Sequence, residues 1–241
     1  MRSDDMPLIR DLPLFRSMDD SSFEEMAGLA YLQRFPQGVD LITEGDPADF
    51  LHVVVDGSVE LFAGWNDREA SMAVVVPVNT FILAAVIRDS PYLMSGRTLE
   101  ASRLLLIPAE VVRKLFRTDS GFSRAIVDEL AGCYRGLVRE SKNLKLRSSI
   151  ERLANYLLAQ QRAQGEREHV TLRYEKRVLA SLLGMTPENL SRAFATLGPY
   201  GVEVDGRTVR LSKPRDLRVL AKPSPLIDGR GGDWGANRPD H

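Results

Sequence analysis

Apolar and polar residues change their period several times along the 241-residue chain. Up to about residue 32 the pattern is helical and short-looped, and "LFRSMDDSSFEEMAGLA" predicts a helix cap near residues 19–22. From Arg34 to about Ile107 the apolar runs shorten and become strand-like. "DFLHVVVDGSVELFA" holds two such runs broken by Asp56-Gly57, a turn pair, and "SMAVVVPV" and "SRLLLIP" add more. Short strands at roughly ten-residue spacing predict a sandwich or barrel. Residues 81–90, "FILAAVIRDS", lie inside this region but read as a short helix or irregular segment.

The helical period returns at Pro108 with "PAEVVRKLFR". From Gly121 to about Asn143 there is no proline. Ile126, Leu130, Cys133, Leu137 and Leu144 there follow coiled-coil spacing, with Glu140 interrupting the seam. The spacing predicts a dimer seam; a helix packed on its own domain is the alternative. Ile150, Leu153, Ala154, Leu157 and Leu158 then form an ordinary helical core stripe. "AQQRAQGEREH" follows as a polar loop.

Two helices come next. Val178, Leu179, Leu182 and Leu183 repeat at helical spacing before Gly184, where a sharp turn needs positive φ. In "GMTPENLSRAFATL", Thr186 can cap a helix, Pro187 suits its first position, and Glu188 suits its dipole. At about 100° per residue, Leu190, Ala193, Phe194 and Leu197 share one face. Glu188, Ser191, Arg192 and Ala195 lie opposite. This is a helix-turn-helix pattern. "VEVDGRTVRL" adds a hairpin centred on Asp205-Gly206, which makes it a winged helix. An ordinary helical hairpin in an α-rich domain is the plainer alternative.

Composition narrows the class. A hydrophobic content of 44% supports packed cores. No run of about 18 apolar residues is present, which predicts no membrane span. The acidic start, "MRSDDMPLIRDLPLF", lacks an apolar signal core. The single cysteine, Cys133, excludes an internal disulfide framework and fits a reducing cytoplasm. Net charge is −1, but unevenly spread. Residues 1–125 carry 12 basic and 19 acidic side chains, whereas residues 170–221 carry 9 and 5. Positive charge gathers where phosphate contact requires it. The last twenty residues, rich in proline and glycine, read as a disordered tail.

An acidic β-roll, a long helix with a dimer-like seam and a winged helix, in that order, resemble the CRP/FNR family of bacterial transcription regulators. The resemblance covers about residues 10–220. It is most specific in "EGDPADFLHVVVDGSVELF" and "LLGMTPENLSRAF". It implies an α+β chain: residues 1–120 a cyclic-nucleotide-binding-like sensory β-roll (jelly roll), 121–146 a dimerisation helix, 147–221 a winged helix-turn-helix DNA-binding domain, and 222–241 the tail. Glu188, Ser191 and Arg192 match the Glu-x-x-Ser-Arg pattern of FNR-like branches. By that resemblance Arg192 reads a guanine, Glu188 a cytosine amino group, and Ser191 a thymine or adenine step. Thr186, Pro187 and Asn189 complete the DNA-facing turn. The side-chain chemistry agrees, since Arg pairs bidentately with guanine and Glu accepts from cytosine N4. A surface salt bridge between Glu188 and Arg192 is the competing role. The implied partners are double-stranded DNA with an inverted TTGA-like repeat, a second copy of the chain, and RNA polymerase. The implied half-site separation is about 34 Å.

The resemblance also frames the signal. Cyclic-AMP-binding members use a Gly-Glu-Leu-Gly-type cassette and an Arg-Ser pair. Here "TFILAAVIRDSPYLMSGRT" offers neither, and the Arg-Ser positions fall near Tyr92 and Leu93. Phe81, Leu83, Leu93, Met94 and Arg97, with Leu137 and Val138 in place of the family's base-contacting Thr-Ser pair, predict an apolar effector pocket. Arg97 is the one nearby group for a phosphate; an isolated arginine on a strand is more often a surface ion pair. One cysteine per chain cannot hold a four-cysteine iron–sulfur cluster. Cys133 reads as a small core residue or as a disulfide partner across the dimer. The DNR and NnrR branches, associated with nitric oxide and denitrification, include haem proteins. His52 is the candidate haem ligand, in a strand beside the pocket, or else a core residue. His169 is placed in a polar loop and His241 is the last residue. A cupin-type enzyme needs clustered histidines, which the sequence lacks. The prediction is therefore a regulator and not an enzyme, with a cyclic-nucleotide-binding module acting on a partner protein as the alternative.

Overall fold

The computed structural model describes residues 5–229. Helices α1 (Met6–Arg10) and α2 (Asp20–Leu29) lead into β1 (Tyr31–Phe35), β2 (Asp40–Ile42), β3 (Phe50–Asp56), β4 (Val59–Trp65), β5 (Arg68–Val75) and β6 (Asn79–Phe81). Helix α3 (Leu83–Arg88), β7 (Ser95–Thr98) and β8 (Ser102–Pro108) follow. The strands form two four-stranded antiparallel sheets, ordered β1-β8-β3-β6 and β2-β7-β4-β5. Strand β3 is buried along most of its length, so its apolar run is continuous rather than alternating. Leu51, Val53, Leu61, Phe81, Leu104 and Ile107 fill this core.

Asp56-Gly57 does not close a hairpin. It carries the chain from one sheet to the other, because β3 pairs with β8 and β6 while β4 pairs with β5 and β7. The true hairpin is β4–β5, turned by Asn66 and Asp67 at φ of 48° and 61°. Two consecutive positive-φ residues are the usual two-residue hairpin solution.

Helix α4 (Ala109–Thr118) follows directly on Pro108, and α5 (Ser120–Leu146) runs for 27 residues. Asp119 caps it, accepting from the Phe122 N–H at 2.8 Å and from the Asp19 N–H at 2.9 Å. Next come α6 (Ser149–Ala163), β9 (His169–Thr171), α7 (Lys176–Leu182), α8 (Pro187–Thr196), β10 (Val202–Asp205), β11 (Thr208–Leu211), α9 (Pro214–Ala221) and α10 (Pro225–Asp228). Helix α6 starts on a capping box between Ser148 and Glu151. A three-stranded sheet, β10-β11-β9, holds the wing. The described chain divides into two compact units, one ending at Tyr134 and the other beginning at Arg135, within α5. No described helix is long and apolar enough to cross a membrane.

Four expectations need correction. Ile126 is fully buried in the core of the first unit, so it cannot belong to an open seam. The polar loop starts later than expected, since α6 continues to Ala163. His169 opens β9, opposite Arg210, rather than lying in a loop. The tail is ordered at its start: α10 occupies residues 225–228, and the rest of the expected tail, with His241, lies outside the described residues.

Candidate nucleic-acid interface and effector region

Helix α8 begins as its sequence dictates. The Thr186 hydroxyl accepts from the Asn189 N–H at 3.3 Å, and Pro187 takes the first helical position. Leu190, Ala193, Phe194 and Leu197 are buried in the core of the second unit. Thr186, Pro187, Glu188, Asn189, Ser191 and Arg192 are all exposed. Their burial follows the 3.6-residue period, so one helix holds an anchored back and a polar front. The Glu188 carboxyl is held below its usual range by its own backbone N–H and by the Thr186 hydroxyl, with Arg192 adding attraction. It therefore stays an acceptor at neutral pH. The Ser191 hydroxyl donates back to the Pro187 carbonyl at 3.0 Å, which leaves its oxygen outward as an acceptor.

The turn before α8 depends on Gly184, at φ +62°. Arg152, on α6, secures that turn. Its guanidinium donates to the carbonyls of Leu183 at 2.7 Å, Gly184 at 3.2 Å and Arg147 at 2.7 Å. Sequence reasoning missed this residue. It lies beside the core stripe, and its partners in the turn, Leu183 and Gly184, lie some thirty positions along the chain. The wing is held likewise, since Arg207 donates to the carbonyls of Leu172 and Arg173. Arg210 is engaged by Glu168 and Glu203. Lys176, on α7, and Arg192 remain exposed on this unit.

The effector residues do not gather as expected. Phe81 and Leu83 are core residues, while Leu93 is 80% exposed. Met94 packs partly on the core, and Leu137 and Val138 lie exposed on α5. Tyr92 is buried, with its hydroxyl on the Phe50 carbonyl at 3.4 Å. Arg97 is already committed. Its Nε meets Glu60 Oε2 at 2.8 Å and its Nη2 meets Glu69 Oε1 at 2.5 Å. Its guanidinium also stacks 4.2 Å over Phe62. Burial alone would lower its pKa, but the two carboxylates raise it. Glu60 is fully buried and takes a further hydrogen bond from the Ser71 hydroxyl. This cluster binds its own positive charge and leaves none for an anionic phosphate.

His52 is 5% exposed, stacked 4.9 Å from Phe81, and its Nδ1 has no partner. Burial depresses its pKa to about 4, against a weaker raising effect from Phe50. No group of three potential metal ligands occurs among the described residues. His52 is thus a neutral core histidine walled in by apolar neighbours, which does not fit a haem ligand. Cys133 is half-buried on α5. A shallow cleft of about 470 Å³ shares Phe62 and Glu69 with the Arg97 cluster and is lined also by Glu44, Trp65 and Asp67 among others. It is more acidic than the apolar pocket expected.

The seam residues also separate. Leu130 packs partly against the first core, Leu137 is 59% exposed, and Leu144 lies against Gly184. Val127, Ala131, Tyr134 and Val138 repeat the same 4-3-4 spacing one residue on, and all four are exposed. Together with Leu137 they form an open apolar face on α5.

Comparison with known proteins gives two matches to family models: a cyclic nucleotide-binding domain over residues 32–119 and a Crp-like helix-turn-helix domain over residues 151–220. The chain is 22% identical over 215 residues to the CRP-like cAMP-activated global transcriptional regulator of Mycobacterium tuberculosis, covering 87% of this chain and 96% of the other. Among solved structures, FixK2 from Bradyrhizobium japonicum is 23% identical with a TM-score of 0.68, covering 81% of this chain and 98% of that one. The c-di-GMP responsive global regulator CLP of Xanthomonas campestris is 23% identical with a TM-score of 0.67, covering 80% and 99%. Both structures share the fold.

Proposed function

The chain belongs to the CRP/FNR family of transcription regulators, and from that premise we infer that it binds an inverted TTGA-like repeat as a homodimer through α8. The observation that carries this is the exposed front of α8. Glu188 and Arg192 stand one turn apart on an anchored, capped helix. Arg192 pairs with guanine O6 and N7, and Glu188 accepts from cytosine N4. The open apolar face of α5 supports a second copy, since exposed apolar stripes of coiled-coil spacing call for a partner. A two-fold dimer then presents two α8 helices about 34 Å apart. RNA polymerase is the partner of a regulator bound this way, and the bacterial cytoplasm is the place where it meets DNA.

The signal differs from that of the mycobacterial relative, whose name says it is cAMP-activated. Arg97 is neutralised by Glu60 and Glu69, so the roll holds no ready phosphate site there. We infer that cyclic AMP is not the effector. The bistable contact is assigned to the part of α5 around Leu137, Val138 and Ser141.

The test is a fluorescence-anisotropy titration of the purified chain, without added ligand, at one stated salt concentration. One duplex carries the inverted TTGA repeat and the other a scrambled sequence. Preference for the palindrome is the expected result. Equal, weak binding to both would overturn the assignment of an inverted TTGA repeat as the site of the effector-free chain, and a preference that appears only with cyclic AMP would overturn its exclusion as the effector.

A further inference from the structure

The C-terminal segment supplies a feature that the family resemblance did not predict. Arg147 lies at the junction between α5, which ends at Leu146, and α6, which is capped by Ser148. Its guanidinium grips Asp228 with two parallel hydrogen bonds, of 2.7 and 2.6 Å. Arg147 and Asp228 are 7% and 18% exposed, so the pair sits largely out of water. Asp228 Oδ2 also accepts from the Ser224 N–H at 2.7 Å, which folds the four-residue α10 onto its own carboxylate. Two more contacts tie the same segment to α6. Asn155 Nδ2 donates to the Ala221 carbonyl at 2.6 Å, and Lys222 Nζ reaches Glu151 Oε1 at 3.5 Å. Glu151 is itself half of the capping box that starts α6.

The contacts continue toward the DNA-facing helix. The Arg147 carbonyl accepts from Arg152 Nη1, and the rest of the Arg152 guanidinium holds the Leu183 and Gly184 carbonyls in the turn before α8. Asp228, Arg147, Arg152 and the turn thus form one contiguous series of hydrogen bonds. Bending the α5–α6 junction would break a buried bidentate pair.

We propose that residues 222–228 are a clasp that fixes the α5–α6 junction and so the attitude of α8, with Asp228, Arg147 and Arg152 as positioning residues for DNA recognition. The clasp rests on the DNA-binding reading only for its consequence. A regulator that must place two recognition helices on two half-sites needs a stiff junction, and a loose one would accept wrong spacings. Burial would raise the Asp228 carboxyl, but Arg147 and the Ser224 N–H lower it. The pair therefore stays charged at neutral pH. Arg147 is not placed as a phosphate contact, because its side chain is covered and both terminal nitrogens are used.

Three full-length variants test this: Asp228→Asn, Arg147→Met and the double substitution. Two readouts are taken on each. The first is amide hydrogen exchange at Gly184 and Met185, which lie far from Asp228 in sequence. The clasp predicts exchange faster by about fivefold or more in every variant, with the double no worse than the singles. The second is anisotropy on the palindrome at its best spacing and with one base pair inserted between half-sites. The clasp predicts that discrimination between the two falls by about fivefold or more, while binding to scrambled DNA and the salt slope stay as in the parent. Asp228→Asn keeps the shape and one hydrogen bond, so it folds even where Arg147→Met does not. Unchanged exchange at Gly184 and Met185 in folded Asp228→Asn overturns the clasp. A salt slope reduced by about one in Arg147→Met alone also overturns it, by making Arg147 a phosphate contact. Faster exchange in a protein whose parent form ignores the palindrome supports the clasp and defeats the half-site assignment instead.

Discussion

The winged-helix unit and the β-roll unit are built to opposite rules. In α8 the polar groups Glu188, Asn189, Ser191 and Arg192 face outward, engaged at most by near neighbours on the same helix. In the roll, the charged groups of the Arg97 cluster are turned on each other: Arg97 on Glu60 and Glu69, with Ser71 on Glu60. One unit keeps its polar chemistry for a partner, and the other consumes it internally. Both units match family models, and they differ in where they turn their polar side chains.

The largest effect that would break this contrast is expected at Arg192. Arg192→Ala removes a bidentate base contact worth about 1–3 kcal/mol from each half-site. Over two half-sites that is about 2–6 kcal/mol, or roughly thirtyfold to ten-thousandfold in affinity for the palindrome. Binding to scrambled DNA should change little. A parallel titration of Lys176→Ala, which removes an exposed cation of α7 outside the reading face, gives the control, because loss of a phosphate-attracting charge weakens both duplexes alike. If Arg192→Ala also lowers both equally, α8 is not the reading element and the contrast fails on its legible side.

Arg97 tests the other side. Arg97→Ala leaves the fully buried Glu60 carboxylate without its cation, an outcome that costs about 3–5 kcal/mol in buried pairs. Ser71 still donates to Glu60 and Arg97 is partly exposed, so the lower end is expected. Thermal unfolding of the roll should shift down accordingly, and Arg97→Met with Glu60→Leu should recover most of it. Cyclic AMP should leave the unfolding temperature of the parent protein in place. A rise on adding it would show that Arg97 exchanges its carboxylates for a phosphate.

These two positions also mark what the sequence could and could not disclose. The start of α8, the Gly184 turn and the Asp205-Gly206 wing were legible because caps and positive-φ turns are decided within a few residues. The Arg97 cluster joins strands 28 and 37 positions apart, and Arg152 reaches carbonyls more than thirty positions away. Nothing in the local pattern signals such partners. The seam on α5 failed for a different reason. Ile126-Leu130-Cys133-Leu137 and Val127-Ala131-Tyr134-Val138 have the same spacing one residue apart. The roll's core takes Ile126 out of the first stripe, while Leu137 of that stripe stays exposed beside the second. Periodicity fixes a helix and its stripe width but not which of two adjacent stripes a neighbouring sheet will claim. The expected apolar pocket failed because Phe81 and Leu83 were needed as core.

His52 sharpens the same contrast through pH. Its folded pKa is depressed to about 4, below the ordinary value of 6.5. The unfolded chain therefore binds the proton first. Stability is complete above about pH 6.5 and is lost as pH falls toward about 4, where the loss levels off. The gap corresponds to about 3 kcal/mol at most. Carboxylates titrate in part of that window, so the informative quantity is the difference from His52→Leu, measured by denaturant unfolding at several pH values. That difference should grow steadily between pH 6.5 and 4. A flat difference would mean that His52 gains its proton in the folded roll, and so that the roll keeps a reachable polar group after all.

Gly184 carries the smallest effect and the most local one. At φ +62° an alanine pays the left-handed penalty of about 1–2 kcal/mol, and its Cβ would fall 2.6 Å from Leu144 Cδ2. That methyl belongs to a flexible side chain on α5 and can swing aside, so the backbone conformation sets the cost. Gly184→Ala should lower the unfolding free energy of the winged-helix unit by that amount, read from denaturant unfolding. The preference for the palindrome over scrambled DNA should survive, because Arg152 still holds the Leu183 and Gly184 carbonyls. Loss of the preference with little loss of stability would show that the turn adjusts rather than strains. The attitude of α8 would then depend on the glycine itself and not on the arginine that grips the turn from α6.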